Sequence, residues 1–184
     1  MARPGFRVLV AGDPMSPVAA LLRIPVGVVV ERCTARSAWA ELLWRSVGVL
    51  AGLPEAAPWT ELAHVGDRTT FYAGAAEIEL YRSETSYYRD NLMSGEPSVW
   101  VALQETGGEP PVEIRCVTAD PAEGEGWTEP GQDIVDAVPM PAALREAIAA
   151  FVAAHHIERP FQKRVRDRAN PDALARRRSN GSRH

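Results

Sequence analysis

Lysine is almost missing from this chain: Lys163 stands alone among 20 basic residues, and every other cation is arginine. Beside so much Ala, Gly and Pro, such a skew follows genome composition, so arginine richness alone does not mark a nucleic-acid binder. Cysteine is nearly as scarce. Cys33 and Cys116 lie far apart, each inside a β-like run, and no CxxC is present. That excludes a multi-bridge disulfide framework and leaves no cysteine pair spaced for zinc or redox work. Two residues do not assign a disulfide, and the expectation is two inert core thiols in a reducing compartment. Long apolar runs are missing too. Nothing approaches the ~20 consecutive apolar residues of a membrane span. Near the start, Arg3 and Arg7 flank a short apolar run that Asp13 and Pro14 interrupt, with no clean cleavage site after it. Residues 1–23 therefore read as an untargeted extension, and the chain as cytoplasmic.

The sequence also contains no GxGxxG, GxxxxGK[ST], HExxH, GxSxG or EF-hand loop. Those absences argue against the common enzyme classes, although a site assembled from scattered residues escapes such a scan. The expectation is no catalytic residue, no cofactor and no metal.

What is present is a β-rich pattern. At 184 residues and 46% apolar content the chain suits one domain with a real core. Ile24–Arg32 is strongly β-branched, with Val26, Val28 and Val30 on one face. Trp44–Leu50 is a second strand. Thr60–Val65 and Thr69–Tyr72 flank Gly66-Asp67, a two-residue hairpin signal. Gly74 separates a further strand, Ala75–Arg82. Ser83–Leu92 carries helical spacing for one or two turns. Strands resume at Ser98–Gln104 and Val112–Thr118, around an emphatic Gly/Pro loop. Residues 120–132, with glycine or proline breakers at Pro121, Gly124, Gly126 and Pro130, read as loop. Ile134, Val135 and Val138 suggest a short last strand.

The clearest element follows. Pro141 suits a first helical position. Leu144, Ile148, Phe151, Val152 and His155 form one apolar stripe, and Pro160 stops the helix. The fold class expected is α+β: a mostly antiparallel β-sheet, or a partly open barrel, with one C-terminal amphipathic helix. It occupies residues 24–165, followed by a basic, disordered tail over 166–184.

Each tempting chemical feature has a plain structural reading. His155 and His156 are adjacent, and neighbouring helical residues point ~100° apart, so one metal cannot easily take both. His155 falls on the buried face and His156 at its edge, where a histidine complements the helix C-terminus. Glu77 and Glu79 share a strand face opposite Ile78 and Leu80, which makes them a solvated face. Glu31-Arg32, at a strand end, reads as a surface ion pair or an edge guard. Most of the five tryptophans are expected in the core. Trp39, in an irregular segment, is the better candidate for an interaction surface.

Net charge hides an asymmetry. From Glu158 to His184 there are nine basic and three acidic residues, giving +6, and the rest of the chain carries −10 out of the total −4. The tail has little interleaved aromatic character and adjoins an acidic body, so nucleic-acid binding rests on the tail alone.

Several segments together carry a family resemblance. They are Ile24 through Arg32, Trp39 with Trp44, and Glu84-Thr85 with Tyr88 and Asn91-Leu92. To these add Pro97-Ser98-Val99, Val117-Thr118-Ala119, Val138 through Pro141, and Phe151 through Lys163-Arg164. In combination they resemble a proteobacterial group, domain-of-unknown-function family 3305, over about residues 24–165. The resemblance implies genes beside those for molybdenum-dependent formate dehydrogenase and its maturation factors, hence an accessory or assembly role. One departure is Gly124 and Gly126, where relatives have a helix-forming stretch.

The leading expectation is a non-enzymatic accessory protein that binds an oxidoreductase subunit or maturation factor. Its rivals are a small-molecule or cofactor-binding module, with a site near Trp39, Tyr88 and His156, and nucleic-acid binding by the tail. The candidate binding residues are Glu31, Arg32, Trp39, Trp44, Tyr88, Asn91, His156, Lys163 and Arg164.

Overall fold

The computed structural model describes residues 19–33, 43–128 and 133–157. Among these, the strands are β1 (Leu22–Cys33), β2 (Leu43–Ala51), β3 (Thr60–Val65), β4 (Arg68–Leu80), β5 (Ser98–Glu105), β6 (Val112–Thr118) and β7 (Asp133–Pro139). The helices are α1 (Thr85–Met93), α2 (Pro121–Gly126) and α3 (Ala142–His155), with a 3-10 turn over Arg82–Glu84 before α1.

Two sheets result, ordered β2-β1-β4-β3 and β6-β5-β7, and every ladder in them is antiparallel. The β-branched run makes β1 the central strand of the first sheet, and Val26 to Val30 are all buried. β2 runs alongside β7, and β4 alongside β6. At the first margin the Ser46 backbone N–H donates to Asp136 Oδ2 at 2.7 Å. No ladder joins the two sheets among the described residues, so they stay open rather than closing into a barrel. Val26, Val28 and Val30 meet Ile78, Leu80, Val99, Val101 and Leu103 in one core, and α3 adds Leu144, Ile148, Phe151 and Val152.

Several expectations need correction. Gly74 does not end a strand: β4 runs through it at φ 146°, where the register against β1 shifts, and a glycine absorbs that bulge. The expected loop over 120–132 contains α2. Asp120 caps that helix, its Oδ1 accepting from the Ala122 and Glu123 N–H groups at 2.8 and 3.4 Å, and Pro121 opens the first turn. The departure at Gly124 therefore does not cost the helix. The 1–23 extension, the residue 34–42 segment and the 166–184 tail lie wholly or largely outside the described residues.

The thiols and indoles are less buried than expected. Cys33 and Cys116 are half-buried and form no disulfide. Trp44, Trp59, Trp100 and Trp127 are each partly exposed. His155, expected on the buried face, is also half-exposed.

Candidate functional site

The far end of β1 gathers the most unusual side chains. Register sets Arg32 opposite Trp44 on β2 and opposite Thr69 on β4, with Val30 opposite Phe71. Alternation then places Arg32, Trp44, Thr69 and Phe71 on the face that carries the Val26, Val28 and Val30 core. The Arg32 guanidinium lies over the Phe71 ring, 5.4 Å from its centroid, and its Nη2 donates to Thr69 Oγ1 at 3.4 Å. On β3, opposite Thr69, His64 Nδ1 lies 2.9 Å from the same hydroxyl.

Trp59 completes the cluster from the loop before β3. Its ring stands edge-on to Trp44 at 5.7 Å and 6.2 Å from Phe71, and Trp44 and Phe71 are 5.9 Å apart. Trp59 is also the one described non-glycine residue at positive φ, 69°. Its N–H donates to the Tyr72 carbonyl at 2.6 Å. A bulky residue in the left-handed region costs on the order of 1–3 kcal/mol, which the surrounding contacts must offset. The strain holds an indole at the surface beside a second one.

The opposite face of the same strand end is ionic. Glu31 is not paired with Arg32, and β1 is not an edge; both expectations are corrected by the register. Glu31 Oε1 accepts from Arg45 Nε and Nη2 at 2.9 and 2.6 Å, from Arg68 Nη1 at 3.2 Å, and from the Cys33 thiol at 3.2 Å. Burial alone would raise the Glu31 carboxyl; the Cys33 thiol and the two guanidiniums outweigh it and hold the group below the usual carboxylate range. Cys33 moves the other way, raised first by burial and then by its bond to Glu31. A thiol held protonated is a poor nucleophile. Ser46, on the neighbouring strand, has a buried hydroxyl oxygen with no partner among the described residues.

Tyr88, Asn91 and His156 lie elsewhere. β1 starts opposite Leu80 and ends opposite Arg68, so α1, which follows β4, sits at the other end of a strand about 35 Å long. Tyr88 is 1% exposed, and its hydroxyl accepts from the Tyr81 N–H at 3.1 Å. Burial pushes its hydroxyl up to about 12. Asn91 is an internal clamp: Nδ2 donates to the Ser98 and Ala119 carbonyls at 2.8 and 2.9 Å, and Oδ1 accepts from the Ser98 N–H at 3.0 Å. Both residues serve the fold and present no polar atom to a ligand.

His156 has a defined tautomer. Arg89 Nη1 lies 3.0 Å from Nε2, and arginine can only donate, so Nε2 accepts. Nδ1 therefore carries the hydrogen toward Thr85 Oγ1 at 3.2 Å, whose hydroxyl donates to the Arg82 carbonyl at 3.1 Å. His155 instead packs against Phe151 with the rings tilted by 53° and their centroids 4.6 Å apart. Among the described residues no group of three or more His, Cys, Asp or Glu is placed to hold a metal ion, and no helix is long and apolar enough to cross a membrane.

The structure thus brings Arg32 and Trp44 onto one face of the far end of β1, sets Glu31 on the other face, and separates all three from Tyr88, Asn91 and His156. Trp39, Lys163 and Arg164 lie outside the described residues. Arg45, Trp59, Arg68 and Phe71 were missed in the sequence. Only the hairpin at Gly66-Asp67 hinted that Arg68 and Phe71 would fold back toward the end of β1.

These features define a two-sheet, mostly antiparallel α+β domain with an aromatic and cationic surface at one strand end. The chain belongs to the family described as protein of unknown function (DUF3305), which matches residues 25–165. No curated protein and no solved structure matches it.

Proposed function

We propose that this protein is a non-enzymatic accessory or assembly factor, acting in the cytoplasm, whose half-exposed Trp44–Trp59–Phe71–Arg32 surface docks on an oxidoreductase subunit or maturation factor. That surface is the observation that carries the reading. Tryptophan and arginine dominate the residues that supply binding energy at protein interfaces. Here two indoles and a guanidinium are already held in place by ring contacts and by the Thr69 hydroxyl. Pre-ordered side chains lose less entropy on binding. The Glu31–Arg45–Arg68 group, on the opposite face of the same strand end, ties β1 to β2 and β4 beneath that surface.

A molybdenum-dependent formate dehydrogenase is the proposed system, on the strength of the resemblance that the sequence carries. The test is affinity capture from the native host with the full-length chain, followed by mass spectrometry. Enrichment of a formate dehydrogenase subunit or maturation factor is expected. Capture that enriches no oxidoreductase component would remove the reading.

A further inference from the structure

Among the described residues, β4 has two strand neighbours along only its first half. β3 pairs with it from Arg68 to Tyr72, while β1 pairs with it from Arg68 to Leu80. From Gly74 onward the second margin of β4 faces β6, and β6 in turn pairs, among the described residues, only with β5. The two margins come together at Gly74, where an added Cβ would lie 3.7 Å from Ile114 Cδ1. Beside that contact is a cleft of about 350 Å³, lined by Glu77, Glu79, Tyr81, Arg115, Glu123 and Trp127 among others. This volume lies near the lower end of the ~300–1,000 Å³ typical of ligand sites.

Two properties of the cleft narrow its occupant. The first is main-chain chemistry. A strand margin without a partner offers a repeating row of N–H and C=O groups, which a further strand satisfies and a small amine does not. The second is charge. Glu77 and Glu123 are exposed and have no ion-pair partner among the described residues. Glu79 is held by Arg23 at 2.8 Å and accepts the Tyr81 hydroxyl. With Glu79 held by Arg23, the lining still carries three carboxylates against the one cation Arg115, and Glu77 and Glu123 beside the Tyr81 and Trp127 rings suit a guanidinium, which pairs with carboxylates and stacks on aromatic faces.

We infer that the cleft between β4 and β6 takes an extended, arginine-bearing segment of a partner protein. The segment adds a strand along Ala75–Leu80, and its cation meets Glu77 and Glu123. The inference does not depend on the aromatic surface at the other end of β1.

The probe is a fluorescein-labelled octapeptide of alternating Arg and Val, titrated into the full-length chain by anisotropy, with hydrogen exchange followed in parallel. Binding is expected, together with slowed exchange across Ala75–Leu80. A Glu/Val peptide of the same length should not bind. Combining Glu77→Lys with Glu123→Lys should weaken the complex at least about tenfold, and the milder Glu77→Gln with Glu123→Gln should weaken it in the same direction. Met93→Ala, at an exposed residue of α1 away from the cleft, should leave peptide affinity unchanged. Unaltered affinity in both carboxylate variants, or binding without protection of Ala75–Leu80, would overturn the inference. So would tighter binding after removal of residues 169–184, because the occupant would then be the chain's own arginine-rich end.

Discussion

Gly124 shows how one residue can be read correctly as unusual and wrongly as a breaker. A Cβ built there would lie 2.1 Å from Trp100 Cγ, so the missing side chain is what lets α2 lie against β5. Gly124→Ala should therefore cost about 1–3 kcal/mol through overpacking, measured by urea unfolding. Gly126→Ala, which meets nothing within 4 Å, should be neutral or stabilise by up to about 1 kcal/mol. Equal small effects at both sites would mean that Trp100 moves aside freely. Tyr88 gives a pH test. Its folded value, about 12, lies above the ordinary phenol value of about 10, so its contribution is complete below pH 10 and is lost as pH rises from there through 12. A rise of that size corresponds to roughly 2–3 kcal/mol. Tyr88→Phe should flatten this part of the alkaline stability profile, and a profile unchanged by the substitution would contradict the burial assigned to the ring. On the acid side Glu31, with its lowered value, stabilises above the ordinary carboxylate range and loses that contribution as pH falls through its folded value.

At the scale of elements, legibility followed local pattern. β1, β3, β5 and β6 were plain because alternation or β-branching is written in consecutive residues. β4 was split because a bulge glycine and a terminating glycine look alike in sequence. α2 was missed because the breakers Gly124, Gly126 and Pro130 masked the Asp120-Pro121 start signal, which was legible on its own. In α3 the Leu144, Ile148, Phe151 and Val152 positions are buried as their spacing required. The Phe151 ring sits 6.3 Å from Tyr88 and 4.6 Å from His155, joining α3 to α1. Phe151→Ala should cost about 3–5 kcal/mol, from lost transfer energy plus the cavity left behind. Denaturant unfolding checks this, and a loss under about 1 kcal/mol would place the ring outside the core.

At the scale of the whole molecule, the candidate site was only partly legible. Arg32 and Trp44 were picked out, but Phe71 is brought to them only by the register of β4, and Trp59 only by the loop that leads into β3. The pairing of Glu31 with Arg45 and Arg68 was hidden for the same reason: ion pairs 14 and 37 residues apart leave no local trace. Tyr88 and Asn91 failed as ligand candidates because satisfied internal hydrogen bonds look, in sequence, like available ones. The central claim is that the aromatic end of β1 is a docking surface for an oxidoreductase component. The most direct measurement is quantitative capture from the native host with wild-type chain, Trp44→Ala, and Met93→Ala as a control at an exposed residue of α1, 77% accessible. Circular dichroism melts would establish that all three are folded. The account predicts that Trp44→Ala lowers recovery of the dehydrogenase component at least about tenfold, in line with a central hot-spot residue, while Met93→Ala does not. Equal recovery by all three proteins would contradict it.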